Sequence, residues 1–201
     1  MKKILLILAF VIGGSYFFYG NAQGVGELSY QASFPTGKFK DFVSKTSWVG
    51  FSFQGRKYLN DQLSLGGSFS WFYFPDKRGK ETVQIPNEGG VYTGNKTNFT
   101  NIYGLLAIIQ YDFKNKKEER VPFVRGGLGA AYQSQRTDIG LYAYKYDGVQ
   151  FMMNAEAGMR FNYSVNKGFI IAATYNYLPA ASDMVPTAFF GLKVGYTGFS
   201  H

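Results

Sequence analysis

The chain has 201 residues, no cysteine and a formal net charge of +8. Without cysteine it has no disulfide framework, thiolate metal site, thiol nucleophile or lipidated N-terminal cysteine. Charged residues are 17%, below the usual one quarter or so, aromatics reach 19%, and mean hydropathy is −0.14. Past the N-terminal segment no second long apolar run exists, so a membrane-spanning helix is excluded there and any membrane crossing must use strands.

The first stretch reads as an address. Met1-Lys2-Lys3 is positive, Ile4 to Tyr19 is apolar and aromatic, and Gly20-Asn21-Ala22 supplies small residues before Gln23. That layout predicts a secretory signal peptide over residues 1–22 and a single domain over 23–201. An uncleaved N-terminal anchor is the competing reading.

The rest alternates with a period of two. Val25 to Phe34 sets Leu28, Tyr30, Ala32 and Phe34 against Glu27, Ser29, Gln31 and Ser33. Successive side chains on a strand point to opposite faces, so each such stretch has one oily and one wet side. Trp48 to Tyr58 repeats this, with Phe51 and Phe53 opposite Gln54 and Arg56. Leu63 to Phe74 opposes Leu65, Phe69 and Trp71 to Ser64, Ser68 and Ser70. Phe99 to Phe113 has a less polar inner set, with Ile102, Leu106 and Ile108 beside Gln110 and Asp112. Val121 to Gln133 places Arg125 opposite Val124 and Leu128. Its Gly126-Gly127-Leu128-Gly129 lies mid-strand with no helix following, so it reads as tight packing rather than a phosphate loop.

Gln150 to Tyr163 is the clearest stretch. Phe151, Met153, Ala155, Ala157, Met159, Phe161 and Tyr163 alternate with Met152, Asn154, Glu156, Gly158, Arg160 and Asn162. It exceeds a soluble strand of about 5–6 residues and suits a tilted bilayer crossing of about 9–11. Phe169 to Leu178 and Thr187 to Tyr196, the latter with Lys193 inward, complete the set.

Eight such strands predict an all-β, antiparallel, up-and-down transmembrane barrel. Short turns after the second, fourth and sixth strands alternate with longer connections at Thr36–Ser47, Pro75–Asn98, Arg136–Gly148 and Pro179–Pro186. Short inner turns and long outer loops are the asymmetry of such barrels. The segment Pro75 to Asn98 is long enough to extend the wall as a hairpin. The inward charges Glu27, Arg56, Asp112, Arg125, Glu156, Arg160 and Lys193 are expected to form a lumen network, since an eight-stranded interior is narrow and a lone buried charge is costly. Glu156 and Arg160, four residues apart on one strand, are too distant to meet, so cross-strand partners such as Arg125 are expected.

The signal ending at Asn21-Ala22-Gln23, the two-residue alternation and the final strand Phe189 to Tyr196 resemble the small outer-membrane β-barrel domain family, which groups OmpX-, OmpA-, OmpW- and PorT-like barrels. The resemblance implies residence in the cell outer membrane, insertion by the barrel-assembly machinery and no cofactor. The chain departs from it by running past Tyr196 to His201.

The only histidine is His201, so no Ser–His or His–Asp constellation is available, and no enzyme is expected. Two roles stay open: a structural, adhesive or partner-binding barrel acting through its outer loops, and a narrow channel or binding barrel for small hydrophobic solutes. A soluble lipid-binding barrel is the third reading. Lys38, Lys40, Lys45, Lys77, Arg78, Lys80 and Lys96 make a basic outer rim suited to outer-membrane lipid and lipopolysaccharide. A surface protein partner and a monomeric state are also expected, and no nucleic acid.

Overall fold

The computed structural model describes residues 24–84, 91–164, 166–181 and 184–200. The leader expected over residues 1–22 lies outside them. Eight antiparallel strands form one closed ring in chain order: β1 (Gly24–Thr36), β2 (Val49–Tyr58), β3 (Leu63–Gln84), β4 (Val91–Asp112), β5 (Arg120–Ile139), β6 (Tyr142–Ser164), β7 (Lys167–Leu178) and β8 (Thr187–Ser200). A six-residue helix, α1 (Gly37–Phe42), follows β1. β1 pairs along its whole length with β8, which removes the sheet edge.

The alternation decides which face is which. Leu128 and Leu192 are 56% and 60% exposed on the outer surface, whereas Glu156 and Arg160 are 4% and 0% exposed inside. Following paired residues once round the ring leads from Gly24 through Lys57, Leu65, Ile109, Gly126, Ala155, Tyr175 and Phe190 to Phe34, ten residues further along β1. With eight strands, that stagger tilts each strand by about 40° and raises the chain about 2.5 Å along the barrel axis per residue.

On that scale the outer surface carries two aromatic edges. Trp71, Tyr103, Tyr132 and Phe151 mark the upper one, and Tyr111, Phe113, Phe161 and Phe169 the lower, roughly 25 Å apart, which is the height of a lipid-facing belt. Tyr30, Phe51, Trp71, Tyr103 and Tyr132 are direct cross-strand neighbours at ring separations of 5.5, 6.3, 6.4 and 6.5 Å, an oblique row climbing to the upper edge.

Three of the expected long loops carry regular structure. The connection Pro75–Asn98 is mostly strand: β3 and β4 stay paired as far as Gln84 and Val91, with one bulge between Lys77 and Lys80. Arg136–Gly148 is likewise a hairpin, closed by the two-residue loop Gly140–Leu141, where Gly140 adopts the positive φ (+57°) such turns require. Thr36–Ser47 contains α1. Above the belt the outward face of a strand meets water instead of lipid while polar residues such as Asp76, Asn98 and Thr137 pack inward, so the oily–wet contrast that marks a crossing fades while the backbone pairing continues. β8 likewise runs on to Ser200, beyond the expected end at Tyr196. The four strands β3 to β6 therefore rise together as a tall wall, a crown on one side of the mouth.

Leu128 lies mid-belt, so Leu128→Arg should lower unfolding stability in lipid vesicles by about 2–4 kcal/mol. Urea titration followed by tryptophan fluorescence reads this directly, and an unchanged midpoint would contradict the assigned outer face.

Candidate functional site

All seven charges expected inside the barrel are there, and the geometry sorts them into two groups. Arg125 on β5 is the hub of the first. Its guanidinium lies 2.7 Å from Glu27 on β1 and 3.0 Å from Glu156 on β6, and also donates to Gln110 Oε1. Arg56 pairs with Glu27 at 3.1 Å, and Lys193 with Glu156 at 2.6 Å. Glu27 and Glu156 do not pair with each other; both clamp Arg125. Nearer the short-turn end, Arg160 pairs with Asp112 at 3.0 Å and donates to Tyr58 Oη, whose hydroxyl donates to Asp112 at 2.6 Å. Glu156 and Arg160 take different partners, as their spacing on β6 requires.

Above the ions comes a layer of small and amide side chains. Ser29 and Ser52 share a 2.7 Å hydrogen bond and Gln31 donates to Ser33. The mouth is then closed by an apolar plug. Phe39 of α1 meets Phe74 edge-on at 5.1 Å, and Phe189 meets both Phe72 and Phe74 at 5.0 and 5.1 Å. Ile102, Leu106 and Met152 belong to the same cluster. The semi-apolar inner face expected on β4 is thus packing for the plug.

A polar latch holds α1 in place, and the sequence reading did not single it out. Asp76, fully buried on β3, accepts from the Ser44 N–H at 2.9 Å, the Ser44 hydroxyl at 3.0 Å and Arg78 Nε at 3.0 Å. Arg78 also donates to the carbonyls of Asp41 and Phe42, and Asn98 Nδ2 donates to the same Phe42 carbonyl at 2.6 Å. Extending the two-residue count along β3 past Pro75 would have placed Asp76 inward. The latch also changes the basic rim. Lys45 and Arg78 face Asp76, and Lys96 pairs with Glu81 at 3.1 Å, so only Lys38, Lys40, Lys77 and Lys80 of that set stand exposed without a carboxylate partner among the described residues.

In the Gly-rich run of β5, Gly127 and Gly129 serve close packing, whereas Gly126 faces open space. A Cβ on Gly129 would sit 2.2 Å from the Leu105 carbonyl oxygen. Among the described residues no cluster of three or more His, Asp or Glu could hold a metal.

A closed ring of eight tilted strands, oily outside for one bilayer height and ion-paired within, defines a small transmembrane β-barrel of the outer-membrane type. Solved structures agree on that fold. The chain resembles the attachment invasion locus protein Ail of Yersinia pestis at 19% identity and a TM-score of 0.54, over 89% of this chain and 99% of Ail. It resembles a major outer membrane protein of Thermus thermophilus at 12% identity and 0.57, over 90% and 100% of the two chains. Against the outer membrane protein OprG of Pseudomonas aeruginosa the values are 12% and 0.54, over 90% and 96%. No protein-family model matches the chain, and no curated protein does.

Removing the hub should show how the lumen is held. Arg125→Met leaves two buried carboxylates short of a partner and should destabilise the barrel by about 3–5 kcal/mol, with Arg125→Met/Glu156→Gln recovering part of the loss. Additive losses in a double-mutant cycle would argue against the direct tie. The latch gives a pH prediction. Burial alone would raise the Asp76 pKa, but its hydrogen bonds from Ser44 and Arg78 outweigh that and hold it below the ordinary value. Its stabilising contribution is therefore complete above the unfolded-state pKa and is lost as pH falls through the lower folded one. Trypsin cleavage at Lys40 in α1 should increase in Asp76→Asn at neutral pH, and the acid dependence of α1 release should disappear in that variant.

Proposed function

We propose that this chain is a non-enzymatic integral protein of the outer membrane, mature from Gln23, which binds surface partners through its crown. The observation that carries the reading is the outer edge of β6. Among the described residues that strand pairs from Ala143 to Met152 with β5 on one side only, since pairing with β7 begins at Met153. An unpaired edge offers a row of backbone donors and acceptors to an incoming strand. The opposite edge of the crown, on β3, is guarded: Pro75, the bulge at Lys77/Lys80 and two exposed lysines are devices that discourage pairing. β6 has neither a proline nor a bulge over this stretch, its Lys145 is answered by Asp147, and Tyr144 and Tyr146 on it add apolar contact area.

The packed plug and paired lumen ions favour a binding role over solute passage. Insertion by the barrel-assembly machinery, contact with lipopolysaccharide and a monomeric state accompany this reading.

Replacing Gln133–Gly148 with an Asn-Gly turn, which joins the paired residues Tyr132 and Val149 and removes the edge from Ala143 to Gly148, should leave a folded, heat-modifiable barrel while abolishing adhesion of displaying cells to protein-coated surfaces. Equal adhesion by the shortened barrel would remove the crown from the account. In planar bilayers the intact protein should give no steady conductance, and sustained openings would favour solute passage instead.

A further inference from the structure

The back of the crown, facing away from the lumen, carries a groove of about 560 Å³, within the range of about 300–1,000 Å³ for small-molecule sites. Its floor is aromatic. Tyr73 and Phe99 lie nearly parallel, 6.3 Å apart and 13° inclined, and Tyr103 and Tyr132, 6.5 Å from each other, line the same groove. Its upper wall is polar, with Asn101, Arg136, Asp138 and Lys145. The groove begins at the upper aromatic edge of the belt and climbs roughly 15 Å above it, at about 2.5 Å per residue. It is thus continuous with the lipid-facing surface and open at headgroup height.

The charges along it are matched. Arg136 Nε lies 2.6 Å from Asp138, and Lys145 lies 3.4 Å from Asp147, which also accepts from the Tyr132 hydroxyl. A wall with cations already answered by carboxylates gains little from a bare polyanion. Donors and acceptors interleaved above flat ring faces suit a polyhydroxylated ring, whose C–H face lies on an aromatic side chain while its hydroxyls take bonds from guanidinium and amide and give them to carboxylate.

We propose that this groove binds the sugar headgroup of an outer-leaflet glycolipid, with its acyl chains running down the belt past Leu105 and Leu128. The proposal rests on the membrane reading, because the bilayer delivers the ligand to the groove.

Trp71 is a built-in reporter: it stacks on Tyr103 at 6.4 Å and its indole N–H donates to Asn101 Oδ1. The chain has two tryptophans, so Trp48→Phe isolates the signal. The barrel is reconstituted in phosphatidylethanolamine nanodiscs with either an acylated, bisphosphorylated glucosamine disaccharide lipid or phosphatidylglycerol at equal charge. The glycolipid should give a saturable Trp71 emission shift and survive on the protein in native mass spectrometry, and phosphatidylglycerol should do neither. Phe99→Ala or Asp138→Ala should weaken half-saturation about tenfold, while Lys114→Ala in the short turn after β4, at the opposite end of the barrel, changes nothing. Equal response to phosphatidylglycerol, or no saturable response from a fully inserted barrel, overturns the groove assignment alone. Equal competition by the free disaccharide overturns the lipid as its source. A barrel that stays out of the bilayer overturns the membrane reading itself, and the proposal with it.

Discussion

Hydrocarbon offers a peptide bond no hydrogen-bonding partner, and that one fact constrains this molecule more than any side chain does. Every N–H and C=O crossing the bilayer must be answered by another strand, so the sheet has to return to its beginning. The pairing of β1 with β8 from Gly24↔Ser200 to Thr36↔Ala188 is that return. Closing eight strands with a stagger of ten residues fixes the tilt and diameter, and the diameter in turn decides what fits inside.

What fits inside is side chains. Arg125 reaches acids on two other strands, so it ties β1, β5 and β6 across the lumen where no backbone bond can. Four cations and three carboxylates share this space. The ions occupy the half near the short turns, and the apolar plug fills the half near the mouth. α1 is held there by Arg78 and Asn98, which belong to the tall hairpin, so plug and crown are mechanically one unit.

How much of this was legible in the sequence depends on the range over which each feature is determined. Facing is local: a strand turns over every residue, so Phe151 and Glu156, or Leu192 and Lys193, could be sorted from their neighbours alone, and all seven lumen charges fell on the right side. Pairing is not local. Glu27 and Arg125 are 98 residues apart, and only the stagger of the closed ring brings them to 2.7 Å. Strand ends were misjudged where the chain leaves lipid. At Lys77, Lys80 and Asp138 the polar residues resemble a loop, although the strands remain paired. α1 left no trace because six residues with two phenylalanines are too short to show a helical period. The outer groove was equally hidden: its aromatics read as ordinary belt residues, and only neighbouring strands give it walls.

The unequal height of the wall gives the tube a front and a back. Four strands of 20 to 23 residues stand opposite four of 10 to 14. A cylinder of even height looks alike from every direction along the membrane, whereas this one has a compass bearing. Its hollow side, bearing Tyr144 and Tyr146, overlooks the plugged opening, and its convex side faces outward above the surrounding lipid. Anything arriving from outside the cell and anything diffusing within the leaflet therefore meet opposite sides of one thin sheet and need not compete for it.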